Sequence, residues 1–416
     1  MGRLLCFAVS TTWPRLCALT LISLAAIATT PGQAEVKIGF QAPLTGAAAT
    51  DGVSAKIAAE MANEKVNSGG GVLGQKIELV TYDDQAKTEE AVFTANKLVG
   101  QDGVTFAVSG SYSASGRAAA PIFQKASVPF ISAYGVHPDI TRSGDYVFRG
   151  VHLGPPQGRA AAKFLSDNLG LKRVSIVSMD NDYGQATLEG FKSVVDQFGI
   201  KVLGEYSYSL KDRQFGSIVA SVKRDSPDVI YVTGYFFTAA PLVTQLRSAG
   251  IRAPIVGSQA FDAEKLIQIA GTAIEGVYIV GGLNRDRDAP ELKQYLTDFE
   301  KRAGYAGENV GASVYSAVRL MCDAITRAGT LEPAKVRDAL AATRNFPHLA
   351  GELISFNPLR EINMPMNVNV VRTENSVTMP GSMISSCWRL RPSNVANRRS
   401  ARLPGPCEKR CCTTLT

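Results

Sequence analysis

Twice along this chain, short apolar runs alternate with amphipathic segments of helical period, and that alternation most limits the folds open to it. Val36–Ala42, Ile77–Tyr82, Val104–Val108 and Val128–Ala133 read as strands. Between them, Asp51–Val66, Glu89–Val99 and Gly116–Lys125 read as helices. After Arg149 the pattern restarts. Val174–Ser178, Lys201–Ser207, Val229–Thr233, Ile255–Gly257 and Val277–Val280 are strands, and Pro156–Leu169, Leu188–Phe198, Phe215–Lys223 and Ala239–Ala249 are helices. Near-continuous apolar strands separated by helices imply parallel sheets covered on both faces. The expected fold class is therefore α/β, with two doubly wound parallel-sheet lobes in series joined at Phe148–Pro156. From Asp288 the chain turns helical through Pro290–Arg302, Ala312–Arg327 and Glu332–Thr343. Three helices do not readily make a lobe of their own, so they are expected to return and cover the first.

Charge confines the functional classes. The net charge is +7, yet it resides at the two ends. Residues 1–34 carry Arg3 and Arg15 and no acid, while 374–416 carry one Lys and six Arg against Glu374 and Glu408. The body between them is neutral, so no nucleic-acid partner is expected. The N-terminal stretch has the form of a cleavable secretory signal: two arginines, an apolar run from Leu16 to Ala28, and a small residue, Ala34, just before Glu35. That run is shorter than a membrane-spanning helix requires. Residues 374–416 show no sustained period and are rich in Arg, Ser, Pro and Cys. They are expected to be a disordered basic extension or a segment read out of frame. Cys387, Cys407, Cys411 and Cys412 match no structural zinc spacing, and no metal site is expected. Cys322, inside a helical pattern, is expected in the core.

In open parallel sheets ligands bind beyond the carboxyl ends of the strands. Val104–Val108 runs into Ser109-Gly110-Ser111-Tyr112-Ser113-Ala114-Ser115-Gly116 and a helix. Small residues there admit a ligand to the backbone, and hydroxyls at a helix N-terminus suit an anion, so Ser113 and Ser115 are candidates for holding a carboxylate; an ordinary capped helix start would look the same. The other strands end at Tyr134-Gly135-Val136-His137, Asp180-Asn181-Asp182-Tyr183, Gly234-Tyr235-Phe236-Phe237 and Ser258-Gln259-Ala260. Together these ends describe a cleft between two lobes with aromatic walls and polar ends. No GxGxxG follows the first strand, no GxxxxGK[ST] occurs, and Gly110-Ser111-Tyr112-Ser113 is not a GxSxG elbow. His137, His152 and His348 are the chain's three histidines and none sits in an HExxH or HxH setting; His152 reads as a hinge residue. No catalytic constellation emerges, and neither an enzyme nor a cofactor is expected.

Several stretches together carry a resemblance: VKIGFQAPLTG at 36–46, GGGVLGQKIELVTYDDQ at 69–85, APIFQKASVPFISA at 120–133, DYVFRG at 145–150, DNDYGQ at 180–185 and AGTAIEGVYIV at 270–280. In them the chain resembles the leucine/isoleucine/valine-binding protein family of ABC transporters over about residues 36–371. The resemblance implies a type I periplasmic binding protein, its lobes joined by a three-stranded hinge and closing on a ligand, with the third crossing near Gly351–Pro358. The implied division is 1–34 signal peptide; 36–153 with 284–354 as lobe 1; 154–283 with 355–373 as lobe 2; and 374–416 as tail. By family position, Ser113 binds the ligand carboxylate, Tyr134 touches the ligand through its backbone, Tyr183 closes from the second lobe, and Tyr235 or Phe236 forms the facing wall. Val136 stands where a threonine often meets the ligand ammonium, and Gln259 where amino-acid binders commonly carry glutamate. Val136 cannot accept that hydrogen bond and Gln259 has no charge to pair with a cation. Asp51 is a candidate substitute, or equally a helix N-cap.

The resulting expectation is a monomeric, periplasmic solute-binding receptor of an ABC importer, binding an amino acid or related small carboxylate by hinge closure and presenting it to a membrane permease. Hydroxy, keto or aromatic carboxylates are the alternative ligands. The alternative classes are a regulatory ligand sensor of the same fold, an enzyme on a doubly wound fold, and a non-functional product.

Overall fold

The computed structural model describes residues 35–372 and the short strand Cys387–Trp388. The first sheet is built from β1 (Val36–Ala42), α1 (Ala49–Ser68), β2 (Ile77–Asp83), α2 (Thr88–Gly100), β3 (Phe106–Ser109), α3 (Ser113–Lys125), β4 (Phe130–Ser132), α4 (Asp139–Arg142) and β5 (Val147–Arg149). Its strands lie in the order β2-β1-β3-β4-β5 and all run parallel. The second begins with α5 (Gly154–Lys163), which continues as a π-helical turn over Phe164–Asn168, and β6 (Arg173–Met179). It goes on through α6 (Asp182–Lys192), β7 (Lys201–Tyr208), α7 (Gly216–Asp225), β8 (Val229–Thr233), α8 (Phe236–Ser248), β9 (Ile255–Gly257), α9 (Glu264–Ala270) and β10 (Tyr278–Val280). The order β7-β6-β8-β9-β10 repeats that of the first sheet. Both are doubly wound orders, and each has a topological switch point where neighbouring connections leave in opposite directions: β1/β3 in one, β6/β8 in the other.

Two features depart from the sequence expectation. The second sheet is not wholly parallel: β13 (Val368–Val370) pairs antiparallel to β10, and β14 (Cys387–Trp388) antiparallel to β13. β13 thus lies between β10 and β14, and the parallel part of the sheet ends at β10. Of the expected tail, β14 alone lies among the described residues, as do none of residues 1–34. Helix α6, expected over Leu188–Phe198, begins six residues earlier because Asn181 caps it, its side chain accepting a hydrogen bond from the Gly184 amide.

Helices α10 (Pro290–Ala303), α11 (Asn309–Ala328) and α12 (Pro333–Ala341) follow β10. Helix α11 lies on α1 and on the backs of β3 and β4, with α10 against α1 and α12 against α11. Its central residues, Cys322 included, are buried because all but one edge of the helix faces protein. The hairpin of β11 (Phe346–Pro347) and β12 (Leu353–Ile354) follows. Arg149 then pairs with Glu361 and Phe356 with Ile362. The chain is thus still beside β5 at Ile362, and its last passage between lobes falls over 363–367, beyond the expected Gly351–Pro358.

That corner holds the largest fully buried side chain among the described residues, Arg149. Its guanidinium donates to the Gly135 carbonyl (2.7 Å) and lies 3.8 Å from Glu361, which also accepts from the Thr141 hydroxyl (2.9 Å). Burial pulls the Arg149 pKa down to about 10, against the opposing pull of Glu361. In the second lobe, α5 and α6 touch backbone to backbone. A Cβ on Gly158 would stand 1.9 Å from the Thr187 carbonyl oxygen, and one on Gly190 2.0 Å from that of Pro155, so only glycine permits this approach.

Candidate ligand cleft

The two switch points face each other. From the first comes the turn after β3, which ends at Tyr112, the residue preceding α3. No side chain caps that helix start, and its first turn carries Ser113 and Ser115, both buried. The Ser113 hydroxyl oxygen accepts from the Val136 amide at 3.0 Å, which leaves its proton to be donated elsewhere. The Ser115 hydroxyl is buried without a hydrogen-bond partner. A helix N-terminus with two such hydroxyls is arranged to receive a carboxylate.

From the second switch point come Tyr183, in the first turn of α6, and Tyr235, just before α8. Tyr235 stacks on Tyr112 across the cleft, ring centroids 4.0 Å apart and planes 11° apart. Tyr134 leans on Tyr112 at 6.1 Å and Tyr183 stacks on Tyr235 at 5.3 Å, so four tyrosine rings form one layer between the lobes. The Arg117–Asp182 ion pair, at 3.0 Å, also joins α3 to α6. The lobes are therefore in contact, as in a closed receptor. Of the two aromatic candidates for the facing wall, Tyr235 enters the stack. Phe236, the first residue of α8, turns edge-on to Phe237 at 5.2 Å.

Gln259 belongs to a neutral network. Its side-chain oxygen accepts from the Gln157 amide (3.1 Å), Gln157 accepts in turn from the Tyr183 hydroxyl (3.1 Å), and the Tyr183 oxygen accepts from the Ala260 amide (3.3 Å). The His152 ring lies 3.1 Å from the same Gln157 amide, and burial holds its pKa down at about 4, so it is neutral near pH 7. The Gln259 side chain also hydrogen-bonds His152, which pulls that pKa up against its burial. Val136 offers the cleft only methyl groups.

Asp51 is not an N-cap. Ala48 holds that position without a side-chain bond, and Asp51 lies one turn inside α1, buried, accepting a 2.8 Å hydrogen bond from the Tyr112 hydroxyl. Burial raises its pKa to about 7, Tyr112 opposing and Asp262 adding to the rise. Sequence reasoning missed three residues here. Tyr112 lay in the Ser-rich turn but was not singled out. Gln157 follows Gly154-Pro155-Pro156, a helix-start signal just after the first crossing. Glu308, buried at the start of α11, lies between the expected helices Pro290–Arg302 and Ala312–Arg327, in a stretch given no role.

Two doubly wound lobes meeting over a lined cleft at both switch points define a two-lobed solute receptor. The chain belongs to the periplasmic binding protein family, whose model matches residues 35–375. It is 30% identical over 308 residues to the Leu-, Ile-, Val-, Thr- and Ala-binding protein of Pseudomonas aeruginosa, covering 74% of this chain and 82% of that one. A leucine-binding protein of Thermotoga maritima superimposes with a TM-score of 0.77 at 27% identity, over 81% of this chain and 95% of that one. A branched-chain amino acid substrate-binding protein of Streptococcus pneumoniae, solved with isoleucine, gives 0.76 at 26% identity, over 81% and 96%. Among the described residues no helix is long and apolar enough to cross a membrane.

Proposed function

We propose that the protein is the periplasmic receptor of an ABC importer, exported by residues 1–34 and delivering an amino acid or a related small carboxylate to a membrane permease. The observation that carries this is the α3 N-terminus, with Ser113 and Ser115, facing Tyr183 and Tyr235 of the other lobe. The ligand carboxylate docks at Ser113, Ser115 and the helix amides. Tyr134 and Tyr235 flank its body, and Tyr183 with Gln259 closes from the second lobe. Only the closed state makes both sets of contacts, so binding shifts the lobes toward it without a chemical step. The lobes divide as residues 36–153 with 284–354, and 154–283 with 355–373, except that 355–362 remain beside the first sheet. The similarity to binders of branched-chain amino acids supports an amino acid as the ligand.

A second reading, an aromatic, hydroxy or keto carboxylate, is favoured by the tyrosine layer and by the neutral Gln259 and Val136. A thermal-shift screen separates them. A ligand at a hundred times its Kd adds about 2.7 kcal/mol. Aliphatic amino acids are expected to give the shift; a shift with acids lacking nitrogen alone would establish the second reading, and none from a folded protein would sink both.

A further inference from the structure

The positively charged group of an amino-acid ligand needs a carboxylate, and Gln259 does not provide one. On the first-lobe side of the cleft stand two buried carboxyls, Asp51 of α1 and Glu308 at the start of α11, and the charge of Asp51 adds to the rise in the Glu308 pKa. Glu308 also lines a cavity of about 350 Å³ that opens between α1 and α9, walled by Ser54 and Tyr305 from one lobe and by Ala263 and Glu264 from the other. It is 2% exposed, and the Ser54 hydroxyl is the hydrogen-bonding side chain that works against its burial. Ser54 lies in turn 2.6 Å from the Tyr305 hydroxyl, and neither is a cation. The nearby cation is Arg285, and it is already paired with Asp262 at 2.9 Å. A carboxylate buried without a counter-ion is costly, and such groups concentrate where a ligand completes them.

We propose that Asp51 and Glu308 together form the subsite for the ligand's cationic group, an ammonium or amidinium, at the first-lobe mouth of the cleft, replacing the position occupied by Gln259. This rests on the receptor function proposed above. A cation entering from the cavity meets Glu308 first and Asp51 behind it. Asp51 keeps its link to the Tyr112 hydroxyl, so the cation is coupled to the ring stacked on Tyr235 and hence to closure.

The electrostatic setting is consistent with this. Burial raises Glu308 to about 8, with the Ser54 hydroxyl opposing, Asp51 and Asp262 adding and Arg285 opposing; burial raises Asp51 to about 7, with Tyr112 opposing and Asp262 adding. The other titratable groups facing the pair are phenols, Tyr112, Tyr134, Tyr183 and Tyr235 around Asp51, and Tyr295 and Tyr305 around Glu308. Glu264 and Lys265 stand at the cavity rim. A primary amine stays protonated to about pH 10. Its arrival favours the ionised carboxylates, so affinity rises as pH is raised through this range.

Isothermal titration calorimetry of the full-length protein tests this with leucine, lysine and 4-aminobutyrate against their nitrogen-free counterparts 4-methylpentanoate, hexanoate and butyrate. At least one amine should bind at least about tenfold more tightly than its counterpart, and more tightly at about pH 8 than at about pH 6. Glu308→Gln and Asp51→Asn should each lose that advantage and flatten the pH profile, with circular dichroism reporting that both fold. A counterpart acid binding as well as its amine, or Glu308→Gln binding as wild type does, overturns the subsite and leaves the receptor function standing. Binding by neither set overturns both. A thermal shift with calcium or magnesium alone overturns the organic cation in favour of a metal.

Discussion

The two faces of the cleft are built differently. The first-lobe face presents charge and unfinished hydrogen bonding: the uncapped start of α3, the unpartnered Ser115 hydroxyl, and the buried carboxyls of Asp51 and Glu308. The second-lobe face is mostly finished, its Gln157, Tyr183 and Gln259 side chains tied to one another and Gln157 to His152 of the first. One face is left to be completed by a ligand's charges. The other is a preformed surface that needs only to be brought up against it, which limits the ordering cost of closure.

The hinge on which that division turns gives the largest expected effect. Arg149→Met strands Glu361 in the interior and frees the Gly135 carbonyl, and should cost about 3–5 kcal/mol in urea unfolding. If the loss is under about 1 kcal/mol, the corner is not what holds the first-lobe loop carrying Tyr134 and Val136. Gly158→Ala acts on the second face alone. Its Cβ meets the Thr187 carbonyl, and pushing α5 from α6 should cost about 3 kcal/mol while moving Gln157 off Tyr183. Hydrogen exchange should then report loosening in the second lobe and not in the first.

Smaller effects separate the roles of the faces. Ser113→Ala removes the acceptor of the Val136 amide and a donor to the ligand carboxylate, so affinity should fall about tenfold by calorimetry, with a stability loss of about 1 kcal/mol. Tyr183→Phe on the finished face should cost about 1 kcal/mol of stability and weaken binding less than Ser113→Ala. Equal losses would mean that the second face also bears on the ligand's charge.

The smallest is a pH effect. Glu308 is raised to about 8 in the folded protein. Its stabilising contribution is complete below the ordinary carboxylate pKa of about 4, and is lost as pH rises toward the folded value, because the unfolded chain ionises first. Glu308→Gln removes that loss, so the ligand-free variant should melt higher than wild type at about pH 8 and almost equally at about pH 4. A lower Tm at pH 8 would show that Glu308 is structurally satisfied and not held for a ligand.

Much of this was legible because it is local. Strands Val36–Ala42, Val229–Thr233 and Ile255–Gly257 stand at their expected bounds, since each is a continuous apolar run ended by a turn. The Ser113 turn was visible as a strand end followed by small hydroxyl residues. The start of α6 was not, because Leu188, the first residue of clear helical period, lies well inside the helix that Asn181 begins. Gln157 and Glu308 escaped for another reason: a lone amide and a lone acid carry no spacing signal.

From the sequence alone come the alternation of strands and helices, the two-lobed plan and the positions of the strand ends, all set by interactions within a few residues or one sheet period. The tertiary structure decided that Tyr112 stacks on Tyr235, that Asp51 binds Tyr112, and that Gln259 is held by Gln157. Those partners lie between 61 and 123 residues apart. Such contacts depend on how two rigid lobes are set about three crossings, a geometry that no local pattern encodes.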